Sequence, residues 1–252
     1  LFRSHLHADT ASDALNRKRR FRLIMRENQE YLTSGFAHRP YTHIDGNGAR
    51  FKKISGITGN ARTSPSWGVI RSLWTLKDGS WYGDNKHMKL SNVILDGNNQ
   101  NYIAIADYLN VEDFMMENVV GIASPWCLSW QIRLGGRNIH IWNPRLYGAT
   151  RVFQDGLHLC WGDATVYGGY IEAGDDPIAC GDDQLLTPFG AQTIQDVIYY
   201  DGEPLKRFAV YGTRIKGVRG NGVKVYRPAT NPFGLTGNAQ VFGGDISVTG
   251  QA

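Results

Sequence analysis

From Lys89 onward the chain repeats one short pattern: a polar residue, an apolar one, any residue, an apolar one, then another apolar position three to four residues later. It reads Asn92-Val93-Ile94-Leu95, Asp113-Phe114-Met115-Met116, Asn138-Ile139-His140-Ile141 and Asp163-Ala164-Thr165-Val166. It continues as Arg207-Phe208-Ala209-Val210 and Ala239-Gln240-Val241-Phe242. Apolar residues two apart face one side of a strand. The better-aligned steps are about 20–25 residues, and the step from Asp163 to Arg207 is about double. Short strands at such a period predict a solenoid whose coils stack and share one core. A coil of this length holds three short strands with turns and leaves no room for a helix, which disfavours leucine-rich and ankyrin-type repeats. The expected fold is therefore all-β, a single-stranded parallel β-helix.

Ahead of the repeat, residues 9–26 open on the N-cap candidates Asp9, Thr10 and Ser12 and place Ala11, Leu15 and Phe21 on an amphipathic stretch. This predicts a short helical cap over 9–20 within a cap and lead-in segment, 1–40, followed by one continuous β-helix, 41–252. The basic run Arg17 to Arg20 then falls at a helix C-terminus, where cations are favoured, and reads as a solvated helix end. Asp45-Gly46-Asn47-Gly48 and Asp96-Gly97-Asn98-Asn99 are tight-turn strings. The first residue, Leu1, is not an initiator Met, so the chain reads as an excerpt or a processed product.

Composition agrees with turn-dense β-structure: 30 Gly, 12 Tyr and 7 Trp in 252 residues. No apolar run approaches the roughly 18 residues of a membrane span, so no insertion is expected. Cys127, Cys160 and Cys180 form no C-x-x-C pair and read as buried thiols. The net charge of +4 says little and supports no nucleic-acid partner, but its distribution is informative. From Val152 to Leu205 there are ten acids and no Lys or Arg; from Lys206 there are seven basic residues and one acid, Asp245. An acidic stretch beside a basic one suggests a site that handles charge.

A second landmark recurs inside the acidic stretch: Asp155-Gly156-Leu157-His158-Leu159, Asp176-Pro177-Ile178-Ala179-Cys180, then Asn221-Gly222-Val223-Lys224-Val225. Aligned, these place Asp155, Asp176 and Asn221 in one vertical column, with Asp175 beside Asp176. Coils stack about 4.8 Å apart. Two carboxylates that close repel, and acid–base chemistry or a cation makes use of such a pair.

These residues carry a resemblance. Q-D-G-L-H-L at 154–159, G-D-D-P-I-A at 174–179 and N-G-V-K-V at 221–225 resemble the N-T-D-G, D-D-C-I-A-I and N-G-V-R-I-K motifs of polygalacturonase-like glycoside hydrolases. D-T-A-x-x-A-L from Asp9, R-F-R-L-I-M from Arg20 and T-H-I-D-G-N-G-A from Thr42 look like the start of pectin-lyase-like right-handed β-helices, common in phage tailspikes and polysaccharide depolymerases. The resemblance spans roughly 9–227 and is specific around 154–183. It implies Asp175 as the general acid, with Asp155 and Asp176 as the pair that activates water in an inverting hydrolysis, set apart enough to admit that water.

Gln154 stands where the family has Thr, and no Gly-His-Gly follows Asp176; residues 184–205 read as a loop in its place. His158, facing outward by alternation between Leu157 and Leu159, is a candidate substitute. The family's R-I-K corresponds to Lys224, Val225 and Tyr226 and not to the literal Arg214-Ile215-Lys216, because Ile215 aligns with Ile171. Lys224 is then the sugar-carboxylate ligand, with Arg227, Asn221 and Trp161 as further substrate-binding candidates. Trp126, Trp130 and Trp142 divide between core and sugar-stacking roles.

The expected function is depolymerisation of a bacterial-surface or pectin-like polysaccharide, an anionic one among the candidates, without cofactor. It would act outside the cell or on a virion, as a homotrimer if a tailspike. One alternative is a calcium-assisted lyase or epimerase, with Asp182 and Asp183 as weak metal candidates. The other is a non-catalytic receptor-binding β-helix.

Overall fold

The computed structural model describes residues 20–54, 68–72, 75–77, 80–82, 85–100, 102–124, 127–148, 154–180, 206–225 and 238–249. The strands fall naturally into coils. The first holds β1 (Phe21–Ile24), β2 (Glu30–Thr33) and β3 (Phe36–His38); the second holds β4 (Thr42–Asp45), β5 (Arg50–Lys53) and β6 (Ile70–Ser72). A small antiparallel hairpin follows, β7 (Thr75–Lys77) and β8 (Ser80–Tyr82). Long strands then run around corners: β9 (Asn85–Asp96), β10 (Tyr102–Ile122), β11 (Cys127–Trp142), β12 (Arg145–Tyr147), β13 (Asp155–Tyr167) and β14 (Tyr170–Ala173). The last are β15 (Ile178–Cys180), β16 (Lys206–Tyr211), β17 (Arg214–Gly217), β18 (Val223–Val225), β19 (Asn238–Phe242) and β20 (Ile246–Val248).

Apart from the hairpin, every pairing among the described residues is parallel, and the pairings form three ladders. On the first, Phe36, Ile70, Ala106, Ile132, Leu157, Ile178 and Val223 occupy one column. On the second the column is Leu23, Ile44, Leu90, Met116, Ile141, Val166, Val210 and Val241. On the third it is Tyr31, Phe51, Leu95, Gly121, Leu146, Ile171, Ile215 and Ile246. The middle of all three columns builds one core, in which Ile44, Leu90, Leu157, Ile171 and Phe208 are buried, while Leu23, Val241 and Ile246 at the ends of the columns are exposed. Each fully buried aliphatic side chain contributes roughly 1.5–3 kcal/mol, which is what keeps the apolar alternation in register from coil to coil.

The repeat is present, with two corrections. Asp113, Asn138, Asp163 and Arg207 precede equivalent residues Phe114, Ile139, Ala164 and Phe208 on the second ladder. Asn92-Val93-Ile94-Leu95 lies on the third ladder instead, since Val93 and Ile94 pair with Val119 and Val120. The final unit is one residue early: Asn238, not Ala239, aligns with Arg207. The pattern misleads because a polar residue leads the strand at both corners of the second ladder. That polar residue is a corner. His87, Asp113 and Asn138 have φ of 52–54° at one corner, and Asn92, Asn118 and Asn143 have φ of 50–53° at the other. A short polar side chain is tolerated in this left-handed region. The asparagines also bond along the axis, with Asn118 Nδ2–H donating to Asn92 Oδ1 (3.1 Å) and Asn143 Nδ2–H to Asn118 Oδ1 (2.9 Å).

Strands begin at Phe21, upstream of residue 41, so the segment expected as a lead-in already pairs within the stack. The helical cap expected over 9–20 lies, except for Arg20, outside the described residues, and among the described residues there is no helix. The doubled step from Asp163 to Arg207 is still a single rung, because β16 pairs directly with β13. Cys180 is buried, as expected.

His38 has no exposed surface. Its Nε2–H donates to the Thr42 carbonyl (2.9 Å), which leaves Nδ1 to accept from the Tyr108 hydroxyl (2.9 Å). Burial pushes its pKa down from 6.5 to about 4, against the bond to Thr42. The folded state therefore keeps His38 neutral where the unfolded chain protonates. Stability supplied by His38 is complete above pH 6.5 and is lost as the pH falls from there to about 4, by roughly 3 kcal/mol in all. Denaturant titrations of wild type and His38→Gln across that window should give a steeper loss for wild type. Parallel curves would remove His38 from the account.

Candidate active site

Gln154, Asp155 and Gly156 enter β13 opposite Asp175, Asp176 and Pro177, which precede β15. The rung is closed by Asp175 N–H to the Gln154 carbonyl (3.0 Å), Gly156 N–H to the Asp176 carbonyl (3.0 Å) and Leu157 N–H to the Pro177 carbonyl (2.9 Å). The next rung extends the column. Asp176 Oδ1 accepts the backbone N–H of Asn221 (2.8 Å) and its side-chain Nδ2–H (3.0 Å), while Asp155 Oδ1 accepts the N–H of Asp176 (3.3 Å). Asp155, Asp176 and Asn221 thus stack as the alignment predicts. Asp175 joins them because 174–177 form a bend outside any strand, at Gly174 and Pro177. Gly220 stands against Asp175, and a Cβ there would come within 2.5 Å of both the Asp175 carbonyl oxygen and Oδ1. Only glycine lets the next coil approach this carboxylate so closely.

Oxygens of Asp155, Asp175 and Asp176 all lie within 4.8 Å of one another. The three carboxylates therefore meet in one cluster. The reason is geometric: two members are one rung apart and the third is a chain neighbour. The three are also unequal in exposure. Asp176 is fully buried and Asp155 nearly so, while Asp175 is half-buried.

Two basic side chains meet the cluster. Lys224 Nζ lies 3.3 Å from Asp176 Oδ2, and the Lys224 side chain is 37% exposed. His158 Nδ1–H donates to Asp155 Oδ2 at 2.8 Å. His158 does point away from the core, as alternation requires, but it is completely buried and engages Asp155, so it does not line an open groove. Lys224 likewise faces a carboxylate of the chain itself. Register places Lys224 in line with Ala179 and His158 on the first ladder. Arg214 lies on the third ladder, with Ile215 beside Ile171, so the literal R-I-K string is indeed elsewhere. The loop expected over 184–205 lies outside the described residues, and β18 stacks directly on β15.

The same outward column continues down the first ladder as Arg71, Asp107, Arg133 and His158 on successive rungs. Arg133 and Asp107 form a two-pronged ion pair, Nε to Oδ1 at 2.8 Å and Nη2 to Oδ2 at 2.7 Å, with neither side chain exposed. Sequence reading missed this pair. Its trace was present as a single charge between apolar neighbours, Ala106-Asp107-Tyr108 and Ile132-Arg133-Leu134, one coil apart.

Calcium takes six to eight oxygen ligands. Here the carboxylates of Asp155 and Asp176 already accept bonds from His158 and Asn221, and Lys224 adds a positive charge. The three carboxylates together could hold a metal ion, with Lys224 competing for Asp176. Asp182, Asp183, Arg227 and Trp126 lie outside the described residues, as do the side chains of Trp130 and Trp161. Trp142 is on the second ladder, 42% exposed, with its ring stacked on Tyr167 at 3.8 Å and 11°. One of its faces is therefore covered by protein and not open to a sugar. No protein-family model, curated protein or solved structure matches the chain.

Proposed function

We propose that this chain is a right-handed, pectin-lyase-like parallel β-helix that hydrolyses a polysaccharide, acting outside a cell or on a virion in the manner of a tailspike depolymerase. The handedness rests on the general preference of parallel crossover connections for the right-handed turn. The function rests on one observation above all: three carboxylates from two adjacent coils converge within 4.8 Å beside a lysine. Structural cores do not need such a cluster, whereas acid–base chemistry does.

In this reading Asp175, the most accessible of the three, gives its proton to the glycosidic oxygen as the bond to the anomeric carbon breaks. Asp155 and Asp176 hold ionised carboxylates that take a proton from the attacking water. The hydroxyl adds to the anomeric carbon, and the leaving sugar departs with the proton from Asp175. Inversion is the course the resemblance implies; the close spacing makes the product anomer a necessary measurement.

The test is a panel of capsular and pectic polysaccharides. New reducing ends without the ultraviolet absorbance of an unsaturated uronate mean hydrolysis, and fresh product seen by proton NMR reports the anomer. Reducing ends with that absorbance mean a lyase. Binding without either means a receptor-binding module, a reading that the absent Gly-His-Gly motif favours.

A further inference from the structure

We infer that Lys224 is a positioning residue that holds the Asp176 carboxylate charged and in place, and is not a ligand for a sugar carboxylate. The inference rests on the hydrolase reading above and assigns a role within it. Asp176 has no exposed surface, and its two oxygens are divided between partners. Oδ1 accepts both N–H groups of Asn221, and Oδ2 faces Lys224 Nζ at 3.3 Å. A buried carboxylate keeps its charge only where cations and donors compensate the lost water. The Asp155 carboxylate, one rung away and with an oxygen within 4.8 Å, otherwise opposes it. His158 is engaged with Asp155. Lys224 is a cation set directly on Asp176. Its position follows from register, since Lys224 stacks over Ala179 on the coil that carries Asp176.

Removing this ammonium leaves the buried Asp176 carboxylate without the adjacent cation that holds it in place. With a polysaccharide that the wild-type chain cleaves, Lys224→Met should lower kcat about 10- to 100-fold and leave KM within about twofold. The acid limb of the kcat/KM profile should move up by roughly one pH unit, as expected when a close opposite charge is removed. Lys224→Arg should restore most of kcat. A rise in KM with unchanged kcat and an unmoved profile would make Lys224 a substrate ligand, overturning the inference while the hydrolase stands. Wild type that cleaves nothing in the panel overturns the hydrolase reading itself. The pair can then still be judged by thermal unfolding at pH 7 of Lys224→Met, Asp176→Asn and the double variant. Losses smaller than additive support the pairing, and strictly additive losses overturn it.

Discussion

Asp175→Asn should reduce turnover by about 10²–10⁴-fold with little change in thermal stability, the magnitude expected when a positioned acid is lost. The substitution keeps the shape of the side chain and removes the titrating proton. Asp175 is half-buried at the bend before β15, so an amide there finds solvent and costs the fold little. Asp176→Asn should lower turnover comparably but also lower stability, because the amide replaces a fully buried carboxylate that faces Lys224. The contrast between the two variants is the informative measurement. Near-normal depolymerisation by both would show that the chemistry lies elsewhere or does not occur.

The largest stability effect is expected at the ion pair that sequence reading overlooked. Asp107→Ala should destabilise the protein by roughly 3–5 kcal/mol, because it leaves the Arg133 guanidinium buried without its two-pronged carboxylate partner. For a chain of this size that is on the order of 10 °C in Tm. Replacing both members together, Asp107→Leu with Arg133→Met, should recover most of the loss, since a well-packed apolar pair often matches a buried salt bridge. Circular dichroism melts of the two variants would decide. If the single substitution is tolerated within about 1 kcal/mol, the pair is solvated and the burial of both side chains is misjudged.

The parts of this protein legible in its sequence are those that repeat. In a stack of parallel coils, residues one period apart become neighbours, so alternation alone identified the inward columns at Phe114, Ile139, Ala164 and Phe208. The same logic placed Asp155, Asp176 and Asn221 over one another and separated Lys224 from Arg214. It failed where the period is irregular. Asn92 was assigned to the wrong ladder because both corners of the second ladder carry a short polar residue in the left-handed conformation.

What tertiary structure alone decided is which outward-facing residues are covered, and by which partner each charge is met. His158 and Arg133 alternate outward as strands require, yet both are buried, each engaged with a carboxylate, Asp155 and Asp107. Lys224 reads in sequence as a lone basic residue available to a substrate. In the fold it meets Asp176 across a rung, with its backbone stacked over Ala179 of the coil below. Period determines which residues are neighbours; side-chain length, direction and the low dielectric between coils determine what those neighbours do to one another.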